Sequence, residues 1–277
     1  MNITADALKA NGYFPTNRLL AVVNGTLALP PQAGAKAILL EGPPGAGKSQ
    51  LATALAKALQ AKLIVDQFHA WTGAEDLFVG VDVASAVAGD AESVRQPGVL
   101  ALASEASKQG FVVLLLDEVD KAPERTEALL LDWVQSGRCP VQPGRHVVAD
   151  FSNLLVILTS NGVREIGAPL RRRVAECRLE RPDTQTLEAI LASQCPGIND
   201  GLRRACARLL ISIWQRSNGR DYNPAPSELV RFLHGLTAVQ SAEDVRDLWR
   251  ASLKVNIEDK YLGGIWGDLV RQRRATP

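Results

Sequence analysis

The sequence predicts an α/β fold, in which a parallel sheet carries helices on both faces and is followed by a smaller helical domain. Three observations support this prediction: apolar runs alternate with helix-forming runs, a glycine-rich loop joins the first such pair, and the strand pattern disappears after Pro182. Near-continuous apolar strands separated by helices are typical of buried parallel sheets. A chain of 277 residues, 46% of them hydrophobic, suits one such core with a second domain attached.

The elements of the first part follow one another along the chain. Residues 1–35 read as a lead-in that contains turns, and residues 36–181 form the predicted α/β domain. The apolar and β-branched runs predict strands at 37–40, 63–65, 111–116 and 154–158, and the runs between them predict helices at 48–60 and 124–135.

Two excursions interrupt this alternation, and a helical region follows it. The stretch 71–100 is longer than a crossover needs, and 139–148 reads as a hairpin around Pro143-Gly144. Residues 182–277 form the predicted C-terminal helical domain. Its helices are expected at 183–194, 200–216, 227–239 and 242–255, and Ser241 with Asp244 marks the start of the last one.

The glycine-rich loop has the composition of a phosphate-binding loop. Glycines at 42, 45 and 47 permit a sharp turn in which backbone N–H groups and a helix N-terminus face an anion. Lys48 can contact the β- and γ-phosphates of a nucleoside triphosphate, and the Ser49 hydroxyl can ligate Mg²⁺. The residues predicted to bind the nucleotide are Gly42, Pro43, Pro44, Gly45, Ala46, Gly47, Lys48, Ser49, Gln50 and Asp117.

Two carboxylates follow the apolar strand that ends at Leu116. The carboxyl ends of parallel strands line the crevice where open α/β sheets bind ligands. Asp117 is therefore a second candidate for holding Mg²⁺, and Glu118 is the candidate base that polarises water for attack on the γ-phosphate. The alternative is an acidic helix start that serves the helix dipole.

Polar groups also follow the strand that ends at Leu158, and three arginines follow Leu170. The amide of Asn161 can bond both the γ-phosphate and the attacking water, although Asn161-Gly162 is also a favoured turn. The run Arg171-Arg172-Arg173 is a candidate to supply an arginine to the γ-phosphate of a neighbouring subunit. A solvated charged face is the alternative for this arginine run.

Together these motifs resemble those of an AAA+ ATPase, a family of the P-loop NTPases. The finer resemblance is to the MoxR-like branch. It rests on 75–80, on Gln96-Pro97-Gly98-Val99-Leu100 and on Asp117-Glu118-Val119-Asp120-Lys121-Ala122. The resemblance implies a three-layer α/β/α domain with a five-stranded parallel sheet and a helical lid.

The resemblance also implies how the protein works. It implies a ring, with a hexamer as the expected size, that hydrolyses ATP at subunit interfaces with Mg²⁺ and remodels or activates a partner protein. Such partners often include a protein with a von Willebrand A (VWA) domain that takes part in metal-cofactor insertion. The insert before Phe111 and the hairpin would line or approach the central pore. Arg173 would be the best candidate for the arginine finger, with Arg172 next. Relatives often carry a lid arginine where this chain has Ser227, and Arg231 is the candidate replacement.

Composition excludes some other classes. With 31 basic and 30 acidic residues the formal charge is +1, so no global field draws the chain to nucleic acid or to a membrane. No apolar run has the length of a membrane span and no secretion signal is recognisable, so we expect a cytoplasmic protein. The four cysteines are irregularly spaced, which indicates reduced thiols and neither a zinc site nor a disulfide framework.

Two alternative functions remain at this stage. A small-molecule kinase could use the same loop, but it would need an acceptor pocket and a lid with arginines over the phosphates. A DNA-directed motor or loader, or the NTPase subunit of a restriction system, would fit the arginine run, although the balanced charge speaks against extensive contact with phosphates.

Overall fold

The computed structural model describes residues 1–81, 95–142, 144–217 and 222–275. Pro143 of the predicted hairpin and positions 82–94 of the predicted excursion lie outside these residues. The chain divides into two compact units, Met1–Pro43 with Gly47–Leu179, and Pro44–Ala46 with Glu180–Pro277.

The first unit is built on a five-stranded sheet in which all neighbouring strands are parallel. The five strands are β1 (Lys36–Glu41), β2 (Lys62–Gln67), β5 (Val112–Asp117), β8 (Leu154–Ser160) and β9 (Ala175–Arg178). Their order in the sheet is β2-β5-β8-β1-β9, so each of the three central strands has a partner on both sides. This architecture confirms the predicted parallel α/β fold.

Burial along the strands follows their place in the sheet. All seven residues of β8 are buried, and β1 and β5 are buried except for their last residue. The prediction of strands buried on both faces is wrong for β2, where Val65 is 55% exposed, because β2 lies at an edge of the sheet. The other edge strand, β9, is too short and too polar to stand out as an apolar run.

The helices of the first unit cover the sheet or precede it. They are α1 (Ala5–Ala10), α2 (Asn17–Leu27), α3 (Lys48–Ala58), α4 (Ala74–Leu77), α5 (Val99–Ser107), α6 (Glu124–Ser136) and α7 (Ala168–Arg171). The predicted lead-in therefore contains two helices, each capped by a threonine hydroxyl, Thr4 or Thr16. Their apolar faces are buried at Leu8, Leu19 and Val23.

Two small antiparallel pairs accompany the sheet. β3 (Val79–Val81) pairs with β4 (Arg95–Pro97), and β6 (Arg138–Gln142) pairs with β7 (Arg145–Val148). The second pair confirms the predicted hairpin.

The second unit is helical in the described residues. Its helices are α8 (Thr184–Gln194), α9 (Asp200–Arg216), α10 (Pro226–Gly235), α11 (Ala242–Leu253) and α12 (Asp259–Ala275). Phe232 and Trp249 meet edge to face in its core, with ring centroids 5.0 Å apart. Ser241 accepts a hydrogen bond from the amide of Asp244 and donates its own amide to that carboxylate, which confirms the predicted helix start. Helix α12 was not predicted.

Two further predictions concern membrane-spanning segments and the state of the cysteines. Among the helices of the described residues, none combines the length and the apolar character that a membrane span requires. All four cysteines are buried and unbridged, as expected for packed thiols.

Candidate functional site

The carboxyl ends of β1, β5 and β8 bring the predicted site residues of the first unit together. The loop after β1 leads into α3, β5 ends at Asp117 and β8 ends at Ser160, directly before Asn161. Because these three strands are adjacent and parallel, their ends meet at one edge of the sheet. The predicted nucleotide loop, the paired carboxylates and the amide therefore occupy one crevice.

The loop 42–49 has backbone angles that favour glycine. Gly42 has φ 154°, Gly45 has φ 77° and Gly47 has φ 87°, all in the region that side chains disfavour. A Cβ at Gly42 would lie 2.3 Å from the carbonyl oxygen of Leu179, so no side chain fits there. Pro43, Pro44 and Ala46 complete the turn, and Gln50 is exposed in the first turn of α3.

Lys48 is the first residue of α3 and is 6% exposed. Its ammonium donates to the carbonyl oxygens of Gly42 and Pro43, at 2.7 and 3.0 Å, and to the Oδ1 of Asn161 at 2.7 Å. Burial lowers the pKa of Lys48, while the nearby carboxylate of Asp117 opposes that shift. The charge is thus held under the loop by three oxygen acceptors.

Asp117 is held by two hydroxyl groups. The Oγ of Ser49 donates to both carboxylate oxygens of Asp117, at 2.9 and 3.0 Å, and the buried hydroxyl of Thr159 also contacts this carboxylate. The same Thr159 oxygen accepts the backbone N–H of Glu118 at 2.9 Å. One threonine on β8 therefore contacts the carboxylate of Asp117 and the backbone of Glu118 at the end of β5.

Glu118 has a left-handed backbone, with φ 57°, which turns the chain directly after the strand. Its Oε1 accepts the Nδ2 of Asn161 at 2.7 Å. Its Oε2 accepts Gln67 at 2.8 Å and the Lys121 ammonium at 2.6 Å. These bonds, that of Lys121 above all, lower the pKa of Glu118 below its ordinary value, so the group is a carboxylate at neutral pH.

The side chain of Asn161 connects the two charged groups. Its amide oxygen accepts from Lys48 and its amide nitrogen donates to Glu118, each at 2.7 Å. Asp120 fixes the backbone around it: the Oδ2 of Asp120 accepts the N–H groups of Asn161 at 3.1 Å and of Val163 at 2.8 Å. The other oxygen of this buried carboxylate has no partner among the described residues.

Replacing Asp120 by alanine is expected to destabilise the first unit by about 1–3 kcal/mol, because two backbone N–H groups lose their buried acceptor. Urea unfolding followed by tryptophan fluorescence measures this loss. Asp132→Ala, at an exposed position of α6, is the matched control and is expected to change stability little. Equal stabilities of the two variants would contradict the role given to Asp120.

The ion pair between Lys121 and Glu118 predicts a pH-dependent stability. Because the pKa of Glu118 is lowered on folding, its ionised form stabilises the fold above pH 4.5, the ordinary value, and this contribution disappears as the pH falls through the folded pKa. Lys121→Met is therefore expected to unfold at lower urea concentration than the parent at pH 7, with a difference that shrinks below pH 4.5. Lys108→Met is the control at an exposed ion pair. A difference that stays constant with pH would contradict this account.

The three arginines of the run have different surroundings. Arg171 ends α7 and pairs within its own chain, at 3.0 Å from Glu41 and also with Glu176. Arg172 and Arg173 are exposed, and no ion pair or hydrogen bond joins either side chain to another of the described residues. Of the three arginines, Arg171 alone pairs with other described residues.

The lid positions lie in the second unit. Ser227 stands in the first turn of α10 and Arg231 is exposed one turn later. Their relation to a nucleotide remains a prediction.

Three site residues escaped the sequence analysis. Gln67 is the last residue of β2 and Thr159 the last but one of β8, and both contact carboxylates that are distant in sequence. Asp120 was considered as a helix-start acid and as part of the segment 117–122, but no role in holding the site was predicted for it. The position of Thr159 at the polar end of an apolar strand was the one available signal, while Gln67 carried none.

Comparisons with known proteins agree with this geometry. Residues 37–174 match the family model described as AAA domain (dynein-related subfamily). The chain is 32% identical over 129 residues to the chaperone protein ClpB of Oceanobacillus iheyensis, covering 43% of this chain and 14% of that protein. It is 30% identical over 158 residues to the Lon protease of Campylobacter jejuni, covering 51% of this chain and 18% of that protein.

A third relative is the negative regulator of genetic competence ClpC/MecB of Bacillus subtilis, 30% identical over 129 residues, which are 43% of this chain and 14% of that protein. The chain thus spans less than a fifth of the length of each of these relatives. The matched segment contains the glycine-rich loop, both carboxylates, Asn161 and the arginine run. An AAA+ domain is an ATP hydrolase module, in agreement with the enzyme class predicted from the sequence. Residues 37–174 are an AAA+ ATPase domain.

Proposed function

We propose that this protein binds ATP against the loop 42–49 and hydrolyses it with Glu118 as the general base. The observation that carries the proposal is the side chain of Asn161, which bonds Lys48 and Glu118 at 2.7 Å each. A phosphate that binds Lys48 would change the hydrogen bond between Lys48 and Asn161. Because Asn161 also bonds Glu118, this change would reach the base. A nucleotide-binding protein without hydrolysis would have no need for this connection.

Each residue has a role that follows from its chemistry. Lys48 provides a positive charge for the β- and γ-phosphates, and the backbone N–H groups of the loop donate hydrogen bonds to the phosphate oxygens. Glu118 takes a proton from the attacking water, and its lowered pKa keeps it ready to do so at neutral pH. Both oxygens of Glu118 are bonded within the protein, so one of these bonds has to give way to the water.

Ser49 and Asp117 fit Mg²⁺, because a hydroxyl and a carboxylate in mutual contact are two hard oxygen ligands. In the described ranges, the His, Cys, Asp and Glu side chains form no group of three or more that could hold a metal ion. Mg²⁺ would therefore take its further ligands from the triphosphate. When bound, Mg²⁺ neutralises charge on the β- and γ-phosphates. Thr159 and Ser49 hold Asp117 in the position it needs.

The proposal extends to a ring in which Arg172 and Arg173 act on the nucleotide of the neighbouring subunit. Its support is that both side chains are exposed and unengaged within the described chain, while Arg171 is tied to Glu41 and Glu176. A hexamer is the proposed size. The hairpin β6–β7 is proposed to approach its pore.

A protein is the proposed client of this ATPase. Among the relatives are a chaperone protein and a protease, whose names support work on proteins. We place the chain in the MoxR-like branch because of its segments 75–80, 96–100 and 117–122. The client or co-chaperone would then be a VWA-domain protein.

Phosphate release by the purified protein tests the proposed reaction. Turnover of ATP is expected with Mg²⁺ and is expected to stop when EDTA is added, while light scattering with Mg²⁺ and a non-hydrolysable ATP analogue reports the ring. Phosphate that appears only on an added small-molecule acceptor would identify a kinase and overturn the proposal. Turnover that depends on DNA at low salt would favour the DNA-directed alternative over a protein client.

A further inference from the structure

The second unit contains a cationic cavity of about 700 Å³ that the nucleotide chemistry does not use. Arg216, Arg250 and Lys254 contribute three positive charges to its wall, and no acidic residue among the described residues lines it. Tyr222 and apolar side chains, among them Val255, form the rest of the wall together with small polar groups. The three side chains are exposed, so water and counter-ions screen their repulsion, and an anionic partner could replace those counter-ions.

Only one of the three cations is neutralised within the described residues. Arg216 pairs with Glu258 at 3.0 Å, and Glu258 also pairs with Lys260 at 2.7 Å. Arg250 and Lys254 form no ion pair with any residue that the structure describes. One guanidinium, of Arg250, and one ammonium, of Lys254, therefore have no anionic partner among the described residues.

Lys254 has a left-handed backbone, and its charged end contacts Tyr222. Lys254 follows α11 in the left-handed conformation, with φ 57°, where glycine is the favoured residue. Its ammonium lies 5.2 Å from the centroid of the Tyr222 ring, and the hydroxyl of Tyr222 bonds Glu228. A glycine at this position would end the helix with less strain but would leave the cavity one charge weaker.

We propose that this cavity binds an acidic peptide segment of a partner protein, with carboxylates at Arg250 and Lys254 and apolar side chains against Val255. Its size exceeds that of a single phosphate ion, and its wall combines charge with apolar surface. A nucleic acid would need a longer track of cations and free aromatic faces. The one aromatic ring on this wall, Tyr222, is already engaged by Lys254 and Glu228.

Fluorescence anisotropy with the full chain tests this proposal. The probe is a fluorescein-labelled peptide of alternating glutamate and leucine, and the comparison peptide has glutamine in place of glutamate. The double variant Arg250→Glu, Lys254→Glu is expected to bind the acidic peptide about tenfold or more weakly. Arg208→Glu, exposed on α9 and outside the cavity, is the matched control and should bind like the parent.

Three outcomes would overturn the proposal: equal binding of the glutamate and glutamine peptides, equal weakening by Arg208→Glu, or displacement of the peptide by stoichiometric inorganic phosphate or oligo-dT. The ATP turnover of the double variant is expected to match the parent, because the cavity residues take no part in the nucleotide chemistry. Failure of peptide binding with intact turnover would therefore reject the cavity alone. Unchanged thermal melting of the double variant excludes misfolding as the cause of weak binding.

Discussion

Glu118→Gln is expected to slow ATP hydrolysis by about a hundred- to ten-thousand-fold while ATP binding is retained, because glutamine cannot accept the proton of the attacking water. Glutamine preserves the shape of the side chain, so the bond from Asn161 can persist. Steady-state phosphate release measures the first effect, and a fluorescent ATP analogue measures the second.

The matched control is Glu124→Gln, which removes one carboxylate from the exposed first turn of α6. Its turnover should equal that of the parent. A Glu118→Gln variant that hydrolysed ATP as fast as the parent would remove the base from the proposed mechanism. If the variant instead lost ATP binding, Glu118 would have a role in holding the nucleotide.

Alanine at both Arg172 and Arg173 is expected to lower turnover by about a thousand-fold or more, because an arginine that reaches the γ-phosphate from a neighbouring subunit stabilises the transition state. The nucleotide affinity of the isolated subunit should change little, since neither side chain contacts its own loop residues in the described structure. Phosphate release measures the loss, and light scattering shows whether the ring still forms.

Mixing two inactive variants decides whether the arginines act in trans. In a mixture of Glu118→Gln subunits with the Arg172→Ala, Arg173→Ala subunits, some interfaces combine an intact Glu118 with intact arginines from the neighbour. Turnover should therefore reappear in the mixture. If the mixture stayed inactive although the two variants co-assemble, as labelled subunits would show, the arginines would act within their own subunit or only in assembly.

Arg178→Ala is the control for removal of a charge close to the arginine run. Arg178 is exposed at the end of β9, and no role in the nucleotide chemistry is proposed for it. A loss as large as that of the double variant would indicate that the positive charge of this surface matters in general. The assignment to Arg172 and Arg173 would then be wrong.

The sequence carried the local features of the nucleotide site because each depends on neighbours in the chain. A turn with φ of 154° at Gly42 and 87° at Gly47 needs glycine, and a helix beginning at Lys48 needs helix-forming residues directly after it. Both requirements are visible in consecutive letters. The strands β1, β5 and β8 were equally easy to predict, since a strand that is buried on both faces is an uninterrupted apolar run in the sequence.

The two edge strands of the sheet and the last helix were harder to predict from the sequence. Strand β9 is four residues long with only Cys177 buried, and β2 has exposed side chains because it lacks one neighbour. Neither shows the pattern of a central strand. Helix α12 was missed because its apolar face, with Leu262 and Ile265 buried, makes sense only against the other helices of its unit.

By itself, the amino-acid sequence determined the phosphate loop, the central strands β1, β5 and β8, and the acidic and amide residues at the strand ends. Only the tertiary structure decided that the Asn161 amide joins Lys48 to Glu118, and that Thr159, Gln67 and Asp120 hold the groups in place. The physical reason is distance along the chain. A hydrogen bond between residues 41 to 113 positions apart leaves no periodic trace in sequence, and arises only when parallel strands place their ends side by side.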